Sequence, residues 1–481
     1  MSFEIFERIY SSHWFLSSYN GPGFVRDFPK IGGGKFITKA VYIMENNMCR
    51  YIFDNVEFEK AANFTADRLI NDNKWRLSIY KKIDFYTKRY FQSGENLRKS
   101  NLGSLSNNKL AQIMNKIIPL QHYHQVYSIL VNGVVLDGRN HLSNKIRNEV
   151  RTVLGNPERF ENYWSLLTLV NKMSLRQKKD YKIALIAKES NNLSKEHIKK
   201  KLIRVYKKYC WLDYNNLGPP ASFKTFENEL GDAIKNNIHL KLPMQLKDIK
   251  IKQEKLMREL HFNKRIRFLV NLAQHVIWQK GFRKDMQYHG FFCYENLFKE
   301  LARRNNIEDW QVFGFLFPWE VKNFLVKKTP SISELHERRK FSCFIVSQNK
   351  LDLKIGKNAH EFSKNLNLIE DFYHLKETRG QCAYIGKVKG YVKIVQTPSD
   401  ISKMNKGDIL ISQATSPDLL LAMKIAGAIV TNTGGLICHA AITSRELKVP
   451  CIVGTGNATL IFRDGDLVEV NASKGIIRKI K

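Results

Sequence analysis

The sequence predicts a multidomain α+β protein: a mainly helical N-terminal and middle region carrying a small β-hairpin, followed by a compact C-terminal α/β domain. Three observations predict it. The chain has 481 residues, and at roughly 100–200 residues per domain that means several domains. Apolar residues recur with helix-like spacing from about residue 56 to about residue 324. Near Gly380 the texture changes to short β-branched runs, separated by turns and alternating with helical patterns.

Taken in order, residues 36–53 (FITKAVYIMENNMCRYIF) read as two short strands around a Glu45-Asn46-Asn47 turn. Helical stretches follow at 110–131, 159–187, 195–209, 246–278 and 294–304. Residues 101–108 form a loop, and Gly218, Pro219 and Pro220 break the helical pattern within 216–222. Short helices are expected at 318–326, with Pro318 in the first turn, and at 333–339. Beyond Gly380 the strands are 392–395, 408–412, 428–431, 451–453, 467–470 and 476–477, with helices at 417–426 and 439–447. The expected organisation is therefore an N-terminal segment with the hairpin (1–60), a mainly helical domain (61–350), a linker (351–380) and the α/β domain (381–481).

Hydrophobic residues make up 43% and charged residues 26%, which excludes a mainly disordered chain, a collagen-like chain and a small disulfide scaffold. Seventy-eight Lys and Arg against 45 Asp and Glu give a net charge of +33. Residues 381–481 hold 13 basic and 7 acidic residues, so most of the excess lies upstream. Such a balance fits either a polyanion partner, nucleic acid among them, or a solvated basic surface; the run 195–208 is read as a solvated helix face. The best apolar run, 419–430, contains Lys424 and falls short of the roughly 18 residues a membrane span needs. Residues 1–15 lack a basic segment ahead of an apolar core, so no signal peptide is expected. Seven scattered cysteines without a CxxC pair argue against a zinc ribbon and point to a reducing cytoplasm.

The run that carries chemistry is TNTGGLICHAAITSRELKVPCIVGTG, residues 431–456. A strand ends at Thr433-Gly434-Gly435, where glycine lets backbone and phosphate approach closely. A helix then begins near Cys438 or His439, and its free N–H groups and positive dipole end favour an anion. The dipole disfavours imidazolium, so a histidine there keeps a lone pair for phosphorus, and the same N–H groups stabilise the phosphoryl charge.

These residues resemble the phosphohistidine signature of the phosphoenolpyruvate-utilising enzymes, which include phosphoenolpyruvate synthase, pyruvate phosphate dikinase, rifampicin phosphotransferase and the glutamine kinases. The resemblance covers 381–481, with 386–392 similar to the opening strand pair and 464–475 to the closing hairpin of the family's β/β/α swivelling domain. It departs from the family at Asn471, where an acidic residue is usual. The resemblance implies that His439 carries the phosphoryl group, with Thr433, Gly434, Gly435 and Cys438 in the presenting turn and Arg445 on the helix. Family members carry Cys or Ser at the place of Cys438, which reads as a small residue packing the turn rather than a catalytic thiol.

The resemblance also implies a donor domain of the ATP-grasp type. Ile31-Gly32-Gly33-Gly34-Lys35 lacks the P-loop spacing and reads as a turn before a strand. The expectation is a phosphotransferase that takes its phosphoryl group from ATP or phosphoenolpyruvate, with Mg²⁺, on a separate ATP-grasp protein and passes it to a small-molecule acceptor. The helical middle resembles more distantly the acceptor side of rifampicin- and glutamine-type phosphotransferases, through residues 210–220, 278–283 and 309–320. Candidate acceptor-site residues are Arg265, Arg267 and Arg283, read either as an anion clamp or as a solvated helix face, with Trp211 and Tyr214. The middle departs from an Arg-Glu-x-x-Arg pattern, having Gln279, Lys280 and Arg283 there. His122 and His124 stand two apart and do not share a helix face, so no metal site is expected. The alternative is a non-catalytic scaffold or binding protein, with nucleic acid among its candidate partners, that retains the phosphohistidine domain as a relic.

Overall fold

The computed structural model describes residues 3–14, 21–136, 141–154, 157–214, 218–236, 238–366, 375–396, 398–415, 419–432, 434 and 438–480. The chain divides into two compact units: residues 1–136, 140–156 and 170–368, and residues 137–139, 157–169 and 369–481.

The first unit is mainly helical. Its principal helices are α1 (Asn55–Asn71), α2 (Asn73–Lys99), α3 (Asn107–Leu136), α4 (His141–Leu154), α5 (Leu175–Glu189), α6 (Lys195–Tyr209), α7 (Phe223–Asn236), α8 (Leu242–Glu259), α9 (Lys264–Asn305), α10 (Val321–Lys327), α11 (Ile332–Lys340) and α12 (Gly356–Lys364). Side-chain caps set their starts. Asp54 accepts from Glu57 N (3.1 Å) before α1, Asp72 from Trp75 N (2.9 Å) before α2, and Asn263 from Ile266 N (2.9 Å) before α9. A capping box of Ser174 and Gln177 opens α5. The stretch expected as one helix over 159–187 is therefore two, Pro157–Thr168 and α5, which fall in different units.

Helix α9 is continuous for 42 residues, about 63 Å, across a region expected to hold separate helical stretches. Gln279, Arg283, Gln287 and His289 are all buried on it, and these polar residues on the inward face interrupt the apolar periodicity that would have revealed one helix. Helices α2, α3 and α9 pack together, with Tyr80 on α2 against His275 on α9 (ring centroids 4.3 Å apart) and Tyr90 on α2 stacked on His124 of α3 (5.5 Å).

The same unit holds a five-stranded antiparallel sheet. Its strands are β1 (Phe3–Tyr10), β2 (Lys39–Glu45), β3 (Met48–Asp54), β4 (Phe341–Ser347) and β5 (Leu351–Ile355), in the order β1-β3-β2-β4-β5. The expected hairpin is β2–β3, with Tyr42 opposite Tyr51. Asn46 and Asn47 have φ of 46° and 68°, the left-handed pair a tight hairpin turn needs and Asn tolerates. The hairpin is the centre of a larger sheet, because an isolated pair is marginal in water. Val41, Ile43, Ile52, Cys343 and Ile345 share one buried cluster with Ala359 of α12. One expectation is corrected here. Residues 341–347 are a strand within the mainly helical unit, and 351–364 are β5 and α12 rather than linker. The fully buried FSCFIVS run shows no alternation, and its partner β2 lies some 300 residues away, so neither local signal nor proximity announced it.

The second unit is built on an eight-stranded sheet. Its strands are β6 (Glu377–Arg379), β7 (Gln381–Tyr384), β8 (Lys387–Ile394), β9 (Ile409–Ser412), β10 (Ala428–Thr431), β11 (Cys451–Val453), β12 (Leu467–Asn471) and β13 (Ile476–Lys479), ordered β6-β13-β12-β8-β9-β10-β11-β7. The central strands β8 to β11 run parallel. Its short helices are α13 (Leu420–Ile425), α14 (His439–Leu447) and α15 (Ala458–Ile461). The strict two-residue period feeds two cores. Leu410, Ile429, Cys451 and Val453 pack with Met423 of α13 and Ala440 and Ala441 of α14. Ile409, Ile411, Val430 and Ile452 pack on the other face with Ile461, Val468 and Val470. No helix among the described residues is long and apolar enough to cross a membrane.

Candidate functional site

Strand β10 leads to the candidate site at the C-terminal edge of the parallel strands, where open α/β sheets place their ligands. Beyond it, Asn432 is 3% exposed and braces the loop. Its Nδ2 donates to Gln413 Oε1 (2.9 Å) and to Thr459 Oγ1 (2.6 Å), and its Oδ1 accepts from Thr459 N (3.0 Å). Thr455 N and Oγ1 both donate to Thr431 O, at 3.0 and 3.1 Å. Asn432 was not singled out from the sequence, and nothing in its local pattern announces that it joins its own loop to Gln413 and to α15.

Gly434 is the turn glycine that the sequence required. Its φ of 121° lies in the region closed to side chains, and a Cβ there would stand 2.7 Å from Cys438 Sγ. Thr433 and Gly435 lie outside the described residues. The main chain of His439 opens α14, and its side chain is likewise outside the described set.

Cys438 is the N-cap of α14, extended at φ −70° and ψ 167°, and its Sγ accepts from Ala441 N at 3.4 Å. Burial pushes its thiol up, against the pull of the Ala441 and Ala440 N–H groups. A protonated thiol tied to the helix start is a cap, and a serine does the same work better. Arg445, six residues on, donates from Nε to Ala383 O (3.0 Å) and so ties α14 to β7. Burial holds its guanidinium below the usual arginine value, and among the described residues no carboxylate pairs with it.

The candidate acceptor residues of the helical unit do not form one site. Arg265 bonds Glu149 Oε1 (2.8 Å) and Asn71 Oδ1 (3.2 Å), while Arg267 bonds Phe262 O (3.0 Å), Met257 O (3.2 Å) and Glu254 Oε2 (3.3 Å). Both fasten the start of α9 to its neighbours. Arg283 lies 16 residues past Arg267, about 24 Å along the same helix, and contacts Gln287 at 3.4 Å. Trp211 and Tyr214 are 4% and 1% exposed. Trp211 Nε1 donates to Lys208 O (2.8 Å), and Tyr214 packs edge-on against Phe292. The structure does not bring the three arginines together: Arg265 and Arg267 tie the start of α9, and Arg283 lies about 24 Å along the helix.

Comparison with known proteins agrees with the geometry of the second unit. Residues 404–475 match the family model described as PEP-utilising enzyme, mobile domain. A probable phosphoenolpyruvate synthase of Archaeoglobus fulgidus is 50% identical over 99 residues, which is 21% of this chain and 13% of that protein. A second, of Methanothermobacter thermautotrophicus, is 43% identical over 99 residues, 21% of this chain and 14% of that protein. The phosphoenolpyruvate synthase of Pseudomonas aeruginosa is 50% identical over 86 residues, 18% of this chain and 11% of that protein. The C-terminal domain is a PEP-utilising-enzyme mobile domain, and the chain spans only a small part of the length of these relatives.

Proposed function

We propose that the chain is a phosphotransferase component in which His439 carries a phosphoryl group from a high-energy donor, ATP or phosphoenolpyruvate, to a small-molecule acceptor. One observation carries this reading: His439 is the first residue of α14, directly behind the Cys438 cap, inside the segment that matches the mobile-domain family. The N–H groups of a first helical turn offer hydrogen bonds to anionic phosphate oxygens. In the first transfer an imidazole nitrogen attacks phosphorus, and the donor's bridging oxygen leaves with the bonding pair. In the second, the acceptor attacks phosphorus, the imidazole leaves with its pair, and the acceptor's proton passes to a base. Two easier displacements replace one difficult one.

The donor is assigned to a separate ATP-grasp protein. Mg²⁺ accompanies the donor on that protein. Intact-protein mass spectrometry tests the reading. With a donor protein, ATP and Mg²⁺, the wild-type chain gains one acid-labile phosphate and His439→Ala gains none. Salt-sensitive binding to nucleic acid without phosphohistidine would favour a scaffold instead.

A further inference from the structure

Away from the phosphohistidine domain, three ligand groups of different chemistry meet inside the helical unit. Glu95 comes from α2, and His289 and Cys293 come from α9. His289 and Cys293 stand four apart, one turn along a helix face. One ligand atom from each, an oxygen, a nitrogen and a sulfur, lies within 4.8 Å of both others. Glu95 Oε1 is 3.0 Å from His289 Nε2, and Cys293 Sγ is 3.7 Å from the same nitrogen. Around an ion with ligands at about 2.0–2.3 Å, the edges of a tetrahedron measure about 3.3–3.8 Å.

The surroundings hold this triangle in place. Gly94 lets the helices close, since a Cβ there would stand 3.1 Å from Cys293 Sγ. Phe91 stacks on the His289 ring (4.1 Å, 18°), and Trp211 meets its edge (4.9 Å, 78°). The His289 side chain is 1% exposed. Arg98 grips the Glu95 carboxylate, Nη2 to Oε2 at 2.9 Å and Nε to Oε1 at 3.2 Å.

We propose that Glu95, His289 and Cys293 bind one divalent transition-metal ion of the zinc type. Mixed oxygen, nitrogen and thiolate ligands suit zinc and disfavour magnesium and calcium. Binding breaks the His289–Glu95 hydrogen bond. The Nε2 lone pair passes to the metal with the ring proton on Nδ1, and the Cys293 thiol releases one proton to solvent. The two anionic ligands then neutralise the ion. Arg98 stays on Oε2 as an orienting partner, while its charge and that of Lys99, 3.4 Å from Oε2, oppose the ion and moderate its affinity. Water takes the fourth place. The ion pins α2 to α9 and stabilises the helical unit by mass action.

The test uses the full chain, reduced and stripped with a chelator, then titrated with Co²⁺ and afterwards Zn²⁺. The site predicts one equivalent of Co²⁺ with a thiolate-to-cobalt charge-transfer band, displaced by Zn²⁺. Cys293→Ser abolishes the band, whereas Cys49→Ser, in the β-sheet, retains it. Glu95→Gln keeps the band and weakens binding at least ~10-fold. Absence of the band in the wild-type chain, or its survival in folded Cys293→Ser, overturns the proposal. Should Cys293→Ser fail to fold, Glu95→Gln decides, and unchanged affinity there overturns it.

Discussion

Cys438 Sγ accepts the N–H of Ala441 at 3.4 Å and thereby fixes where α14 begins, one residue before the main chain turns helical at His439. The thiol is a cap, and that role has consequences a nucleophilic thiol would not have. Cys438→Ser keeps the acceptor and should hold stability at or above that of the wild type, with His439 phosphorylation unchanged. Cys438→Val removes it and should cost about 1 kcal/mol, read by chemical denaturation, with slower phosphoryl uptake. Loss of phosphorylation in Cys438→Ser would refute the capping role.

Tyr90 and Gly290 set the approach of α2 to α9. A Cβ on Gly290 would stand 1.4 Å from the Tyr90 hydroxyl, so Gly290→Ala must push the helices apart. The expected cost is about 1–3 kcal/mol or more. Adding Tyr90→Ala should recover part of it, so that the double variant is more stable than the two single effects predict. Strict additivity in a double-mutant cycle would count against the contact.

Buried neutral histidines make the helical unit sensitive to acid. Burial, reinforced by Arg338, lowers His13 to about 3; burial, reinforced by Arg283, lowers His124 to about 3. In the unfolded chain both take up a proton below about 6.5. Their folded values are depressed, so stability is complete above pH 6.5 and falls as the pH drops from there toward 3. The slope is about 1.4 kcal/mol per pH unit for each histidine. His124→Gln should flatten the decline by roughly one proton's share. An unaltered slope in urea denaturation across this range would contradict it.

Arg265 and Arg267 are ties between helices, and their removal should report stability rather than transfer. Arg265 pairs with Glu149 while 42% exposed in its side chain, a setting where such pairs contribute about 1 kcal/mol or less. Arg265→Ala should therefore leave the KM for any acceptor unchanged. A rise in KM with no change in unfolding would restore it to the acceptor site.

The sequence was most legible where signals are local. The strands 428–431 and 451–453 and the helix 439–447 match β10, β11 and α14, because a fully buried parallel strand is a short apolar run between turn residues. Gly434 was legible for the same reason: its conformation demands the residue. The five-stranded sheet was not, because β4 pairs with β2 across most of the chain. The pairing of Arg265 with Glu149 and of Arg267 with Glu254 was not legible, because a sequence does not show which carboxylates neighbouring helices bring to an arginine. Glu95, His289 and Cys293 escaped notice because only the packing of α2 on α9 unites them.

The most direct test of the account is where phosphorus resides during turnover. Incubated with the proposed ATP-grasp donor protein, Mg²⁺ and ATP labelled in the transferable phosphoryl group, the chain should yield a labelled peptide. That peptide should contain His439, with an acid-labile and base-stable bond. Label on any other residue, or undiminished label in His439→Ala, would contradict it.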